Sequence, residues 1–477
     1  MSWHSMRRWL ATLLLCALAC DASAQDPTGV MKQDTHEEAF QYGRFGTVHT
    51  IVPNGPIKDV VVFAAGDGGW NPGFADMAQL IANEGALIVG IETVPYLNAI
   101  NTGGQSCAYP AADFEGLAHA VEKRYRLRDY IVPLLAGYSS GATLTHAVLA
   151  QAPQGTFRGA INLGFCRELA LQRRLCPGRG IEFKQHKEHL SLLPMKALGA
   201  PWVVLQGQAD QACTLDTVNN FAANIPTARV IPLKKVGHGF GVGHHWHEQL
   251  RSAYRELAPP PAPTLAAAVN DLPLIEVTST GKPAPYFAVL LTGDGGWAGL
   301  DQEVATLLAQ AGIPVTALNT LKYFWNERQP DDAARDLARI IEHYMAQWQR
   351  NRVLLIGYSF GADVLPEMVA RMPQRVHAHV QGVNLIAPEH EATFEIHVGG
   401  WFGQDSEGRP VKPALQTIAS YRLPITCIHG TEEENSLCAE MPASIARNVV
   451  IPGGHHFNGD YARLVEAILS GGAVATQ

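Results

Sequence analysis

Short apolar runs without polar alternation recur along the chain, separated by longer amphipathic stretches. A continuous run of this kind predicts a strand buried on both faces of a parallel sheet. The first is Val60-Val61-Val62-Phe63-Ala64-Ala65, predicting a strand over 59–65. A helical pattern follows at 74–84, a strand at 86–93 and a longer helix at 111–126. Further strands are expected at 131–136, 159–165, 201–207 and 229–236. The same succession then repeats. Strands are expected at 286–292, 313–320, 353–356, 380–387, 424–430 and 447–452, with helices at 302–311 and 331–348. Each copy carries an irregular excursion after its fourth strand, at 167–200 and 388–422. Alternating strands and helices predict, in each copy, a mostly parallel sheet with helices on both faces.

Between the copies lies Ala258-Pro259-Pro260-Pro261-Ala262-Pro263-Thr264. Proline lacks the amide hydrogen and favours extended backbone, so this reads as a semi-rigid linker. The expected organisation is an export signal at 1–24, a first domain at 25–257, a linker at 258–271 and a second domain at 272–477. Residues 25–44 are polar and read as a loosely held lead-in.

The export signal rests on Arg7-Arg8, an apolar stretch at 9–20 too short to span a bilayer, and Ala22-Ser23-Ala24 as the cleavage site. Cleavage near Ala24 is expected to leave the remainder outside the cytoplasm. Lipidation at Cys20 is the weaker alternative, since Ala17 stands where a lipobox favours leucine. Past the signal six cysteines remain, an even number that implies disulfides in an exported chain. Cys427 with Cys438 is the within-domain pairing of the second half. The first half allows three pairings, and the shortest loop selects Cys166 with Cys176, leaving Cys107 with Cys213.

Net charge is -8, with no basic tract for nucleic acid or anionic lipid. The cluster His244-His245-x-His247 has poor spacing for one metal site, and no C-x-x-C occurs. Neither a metal nor another cofactor is expected.

The chemistry sits at the turns. Gly357-Tyr358-Ser359-Phe360-Gly361-Ala362-Asp363 follows an apolar strand and precedes a helical run. Strand, Gly-x-Ser-x-Gly and helix together form a nucleophile elbow, which lifts a serine hydroxyl off the sheet edge. The first copy has Gly137-Tyr138-Ser139-Ser140-Gly141-Ala142. One such motif arises easily by chance; two at matching places in a duplicated pattern do not. A serine nucleophile needs a base, and the base needs an orienting acid, here in the order Ser, acid, His. The second copy offers Ser359, then Glu432-Glu433-Glu434, then His455-His456. Aligning the glycines before the acids sets Glu433 opposite Asp210; aligning the phenylalanines sets His455 opposite His238. Glu432, Glu434 and His456 stay open as rivals. The first copy offers Ser139, Asp210 and His238, as a second site or as a duplicate kept for packing.

Both copies also share Gly-Asp-Gly-Gly-Trp, at 66–70 and 293–297. It sits where an oxyanion donor belongs, so the Asp294 and Phe360 amides are the expected pair, with Asp67 and Ser140 in the first copy. The tryptophan is expected to pack, and the aromatic loop Gly399-Gly400-Trp401-Phe402-Gly403 lies where a lid would sit.

These motifs, the cysteine pair around Gly430, and Gly453-Gly454-His455-His456-Phe457 resemble the bacterial virulence proteins of the VirJ/AcvB type. The two-domain layout with its export signal is similar to the longer form. The resemblance implies two tandem α/β-hydrolase domains in the periplasm. It implies cleavage of the aminoacyl ester of lysyl-phosphatidylglycerol, with Ser359 as nucleophile and His455 as base. The implied partners are an aminoacylated phospholipid at the periplasmic membrane surface and proteins of a type IV secretion system. A lysyl group carries two positive charges, which Asp363, Glu432, Glu434 or Asp294 would pair with. A general carboxylesterase or lipase, and a non-catalytic secretion adaptor, are the alternatives.

Overall fold

The computed structural model describes residues 35–104, 106–259, 268–397, 408–434 and 436–472. The expected export signal, most of the proline-rich linker and the 399–403 loop lie outside these residues. All the described residues belong to one compact unit that holds both halves.

The apolar runs become sheet centres. In the N-terminal half the strands are β1 (His36–Tyr42), β2 (Gly46–Val52), β3 (Asp59–Ala64), β4 (Ala86–Ile91), β5 (Leu134–Tyr138), β6 (Ala160–Leu163), β7 (Trp202–Gly207) and β8 (Ala228–Leu233). Their order across the sheet is β1-β2-β4-β3-β5-β6-β7-β8. In the C-terminal half they are β9 (Leu274–Val277), β10 (Phe287–Leu291), β11 (Val315–Leu318), β12 (Val353–Tyr358), β13 (Val380–Ile386), β14 (Ile425–Gly430) and β15 (Arg447–Ile451). Their order is β9-β11-β10-β12-β13-β14-β15, the first sheet without its outermost strand. From β3 to β8, and from β10 to β15, all pairings are parallel. Every side chain of β3, β4 and β12 is buried, as strands covered by helices on both faces must be. Each half is an α/β-hydrolase fold.

Two expectations need correction. Residues 25–44 are not all lead-in, because His36–Tyr42 pairs antiparallel with Gly46–Val52 as the sheet edge. Its alternate residues face solvent while Glu38, Phe40 and Tyr42 half-bury, the pattern of an edge strand packed on one face. The first-half disulfides are Cys107–Cys176 and Cys166–Cys213, not Cys166–Cys176 and Cys107–Cys213. Cys166 and Cys213 follow the C-terminal ends of the adjacent parallel strands β6 and β7, so their loops emerge side by side. Cys107 meets Cys176 because a bridge joins Ala108 to Leu175. The second half forms Cys427–Cys438.

The halves pack against each other. Tyr130, from the first half, lies in the buried core of the second. Trp325 is 1% exposed and its indole Nε1 donates to the Leu127 carbonyl at 3.1 Å. Lys123 sits over the Trp325 ring, pairs with Glu395 at 3.1 Å and donates to the Trp325 carbonyl. At Gly155, with φ of +93°, a Cβ would come within 2.5 Å of the Trp297 carbonyl. The contact between halves thus reaches the Gly-Asp-Gly-Gly-Trp loop of the second site.

Candidate active sites

Each serine sits between a strand and the first turn of a helix. Ser359 has φ 50° and ψ −122°, and Ser139 has φ 55° and ψ −120°. A non-glycine residue in this region costs about 1–3 kcal/mol and persists only where its surroundings fix it. The flanking glycines supply the room. A Cβ on Gly357 would approach the Gly361 carbonyl to 2.4 Å, and one on Gly361 would approach that of Leu291 to 2.3 Å. The first copy is as tight, with 2.3 Å at Gly137 and 2.1 Å at Gly141. A serine before a helix ordinarily caps it with its hydroxyl. Neither does so here, and each hydroxyl turns to a histidine instead.

In the second half Ser359 Oγ lies 2.9 Å from His455 Nε2, and His455 Nδ1 lies 2.8 Å from Glu433 Oε1. The other Glu433 oxygen accepts the Gly430 amide at 2.7 Å, which pins the acid to the end of β14. Glu432 and Glu434 are exposed and His456 turns to Tyr358, so the structure brings Glu433 and His455 to the serine rather than their neighbours. The His455 hydrogen bond and the Gly430 amide outweigh burial and hold Glu433 below the usual carboxylate range. The same hydrogen bond raises His455, opposed by burial and helped by the charges of Glu433, Asp294 and Glu389.

In the first half Ser139 Oγ lies 2.9 Å from His238 Nε2, and His238 Nδ1 lies 2.8 Å from Asp210 Oδ2. Asp210 also accepts the Ala212 and Cys213 amides at 2.9 Å each, and the Gln206 amide group at 2.9 Å. Both sets therefore have a hydroxyl, a base and a buried or anchored acid in one hydrogen-bonded line. That line can take a proton from the serine as it attacks a carbonyl carbon, and return it to the leaving group.

The two Gly-Asp-Gly-Gly-Trp loops share a conformation. Gly69 and Gly296 have φ of 63° and 71°. Their amides close on Gly66 and Gly293 at 3.0 Å each. Phe360 and Ser140 each open a helix, where the amide has no intrahelical acceptor and lies at the positive end of the helix dipole. Trp70 stacks on His49 with ring centroids 4.7 Å apart, a packing role.

Asp363 is 8% exposed and its Oδ1 accepts the Glu389 amide at 2.7 Å. Burial pushes its carboxyl up to about 8, with the Glu389 amide opposing. Burial thus favours its neutral form. Asp294 and Glu389 are exposed at the mouth of the site.

Three residues with positioning roles had no assigned part in the sequence reading. Tyr358 hydrogen-bonds His456 Nδ1 at 3.0 Å and the His455 carbonyl at 3.4 Å; Tyr138 donates to the His238 carbonyl at 2.9 Å. Each tyrosine ties its elbow to its histidine loop. Their shared place before both serines was the available signal. Gln206, fully buried, holds Asp210 and accepts the Phe165 amide. Among the described residues no group of His, Cys, Asp and Glu is arranged to hold a metal ion, and no helix is long and apolar enough to cross a membrane.

Similar solved structures include an α/β serine hydrolase without a lid from Xanthomonas campestris, 15% identical, covering 49% of this chain and 99% of its own, with a TM-score of 0.33. Dienelactone hydrolase from Anabaena variabilis is 14% identical, covering 47% and 97%, with a TM-score of 0.34. The esterase domain of a Rhodothermus marinus protein is 11% identical, covering 47% and 98%, with a TM-score of 0.32. No curated protein sequence matches significantly. The profile of the bacterial virulence protein VirJ matches residues 58–168 and 285–474, well over half of the sequence. The chain belongs to the VirJ family.

Proposed function

We propose that the C-terminal half is a periplasmic serine hydrolase that cleaves the aminoacyl ester of aminoacylated phosphatidylglycerol, of the lysyl type, with Ser359 as nucleophile. The observation that carries this reading is the charge around the base. Beyond the acid Glu433, the carboxylates of Asp294 and Glu389 both act on His455. A lysyl ester brings an ammonium group next to its carbonyl carbon and a second at the end of its side chain. Exposed carboxylates beside the nucleophile favour such an acyl group over a neutral fatty one.

In the reaction, Ser359 Oγ attacks the aminoacyl carbonyl as its proton passes to His455 Nε2. The Asp294 and Phe360 amides receive the developing oxyanion. His455 returns the proton to the leaving glycerol oxygen, freeing phosphatidylglycerol. Water then attacks the acyl-enzyme with the same base and releases the amino acid. Three disulfides fit an oxidising compartment such as the periplasm.

The test is lysine release from vesicles containing lysyl-phosphatidylglycerol, followed by mass spectrometry. Wild type should release lysine and Ser359→Ala should not. Asp294→Lys and Glu389→Lys should lower the preference for the lysyl over an uncharged acyl ester. Wild type that frees fatty acid but no lysine would establish a general lipase instead.

A further inference from the structure

We propose that Ser139, His238 and Asp210 form a second working esterase site, and that this site takes an ester with an uncharged acyl group. The inference goes beyond the reading of Ser359 and does not rest on it.

The machinery is complete. The serine is held at positive φ, which a structural elbow would relieve by carrying glycine. Asp210 is 4% exposed, yet three donors besides His238 satisfy it. Burying a carboxylate with so many donors is costly to arrange and useful for fixing an imidazole. The Gly66–Trp70 loop has the same turn as its counterpart, so the Asp67 and Ser140 amides stand where Asp294 and Phe360 do.

Most carboxyl-bearing positions around Ser359 have neutral counterparts here; the exception is Glu92, which pairs with His49 at 3.4 Å and stands where the second half has Asn319. Four residues after the serine, Asp363 is replaced by Thr143, whose hydroxyl donates to the Cys166 carbonyl at 2.6 Å. Two residues past the positive-φ residue that ends the strand, Glu389 is replaced by Cys166, locked in a disulfide. The residues flanking the acid, Glu432 and Glu434, are replaced by Ala209 and Gln211. Glu389, Glu432 and Glu434 therefore have neutral counterparts, as does Asp363, whose burial favours its neutral form, and Asp67 matches Asp294. A cationic acyl group has little to gain there, and an uncharged one meets no desolvated carboxylate.

The step balances as ordinary ester hydrolysis. Ser139 Oγ bonds to the acyl carbon, its proton goes to His238 Nε2, and that proton leaves with the alcohol. Water then splits the acyl-enzyme, giving the carboxylic acid and restoring the Ser139 hydroxyl.

The experiment compares wild type, Ser139→Ala, Ser139→Gly and Ser359→Ala. It uses 4-nitrophenyl butyrate, the 4-nitrophenyl ester of lysine, and site-resolved labelling by a fluorophosphonate. Ser359→Ala should keep most butyrate hydrolysis and fluorophosphonate labelling at Ser139. Both Ser139 variants should lose at least about tenfold of the butyrate rate. Fluorophosphonate labelling retained at Ser359 in both Ser139 variants reports that the protein has folded. Butyrate hydrolysis unchanged in the Ser139 variants overturns the second site. Lysine-ester turnover in Ser359→Ala as fast as that of butyrate overturns the substrate class. Failure of the Ser359 reading shows separately, as lysine release from the aminoacyl lipid that persists in Ser359→Ala.

Discussion

The ring of Trp325, in the C-terminal half, lies 5.2 Å from that of Tyr130, in the N-terminal half. The preceding residue, Phe324, meets Phe360 edge-on at 5.4 Å, and Phe360 follows the nucleophile. The contact between halves is thus two side chains from Ser359. Truncating a buried tryptophan typically costs about 3–5 kcal/mol. Trp325→Ala is expected to lower Tm in calorimetry and to reduce turnover at Ser359 more than labelling at Ser139. Equal loss at both serines would show that the effect is global unfolding alone.

The acid is a second point of test. Glu433 alone of the three adjacent glutamates bonds His455. Glu433→Gln should lower kcat by about 10³–10⁴, as loss of an orienting carboxylate does. Glu432→Gln and Glu434→Gln, at exposed positions, should leave kcat within a few-fold. Steady-state kinetics on an activated ester separates them, and a large loss at Glu432 or Glu434 would reassign the acid.

The pH dependence follows from His455. The Glu433 hydrogen bond leads the causes that raise it. The base works when neutral, so kcat/KM should fall as pH drops through a value above the ordinary histidine figure of about 6.5. Glu433→Gln removes the leading cause, so the acidic limb should move to lower pH while the plateau drops. A limb that does not move in the variant would contradict this assignment.

The Cys166–Cys213 disulfide joins the Asp210 loop to the segment that anchors the nucleophile helix. The Cys213 amide donates to Asp210, its carbonyl accepts from the Gln206 side chain, and the Cys166 carbonyl accepts from the Thr143 hydroxyl. Cys166→Ser with Cys213→Ser should cut fluorophosphonate labelling at Ser139 and spare Ser359. The closed loop, 47 residues in separation, also predicts a stability loss of about 4 kcal/mol on chain-entropy grounds. Peptide mass spectrometry and thermal unfolding read the two effects.

Much of this architecture was legible because the sequence states it twice. Buried parallel strands read as apolar runs, and the glycine that ends β7 and β14 sets Asp210 and Glu433 in register. The geometry then falls on the same residues. The cysteine pairing in the first half was not legible from loop length. Strand adjacency decides it: Cys166 and Cys213 lie 47 positions apart yet follow neighbouring strands. The edge strand His36–Tyr42 was hidden by its polar face, since only alternate residues half-bury. Asp363 looked like an anionic partner for substrate. Its burial and its bond to the Glu389 amide are tertiary facts that no local pattern carries.

A gene duplication ordinarily leaves two beads on a string, each free to melt or to be clipped away without the other. Tyr130 sits inside the other bead's core, and Trp325 is capped by Leu127 and Lys123 from across the seam. Severing the chain in the proline-rich stretch would therefore yield two fragments that stay associated, each carrying the other's missing surface. The pattern is double, while the packing is shared across the seam.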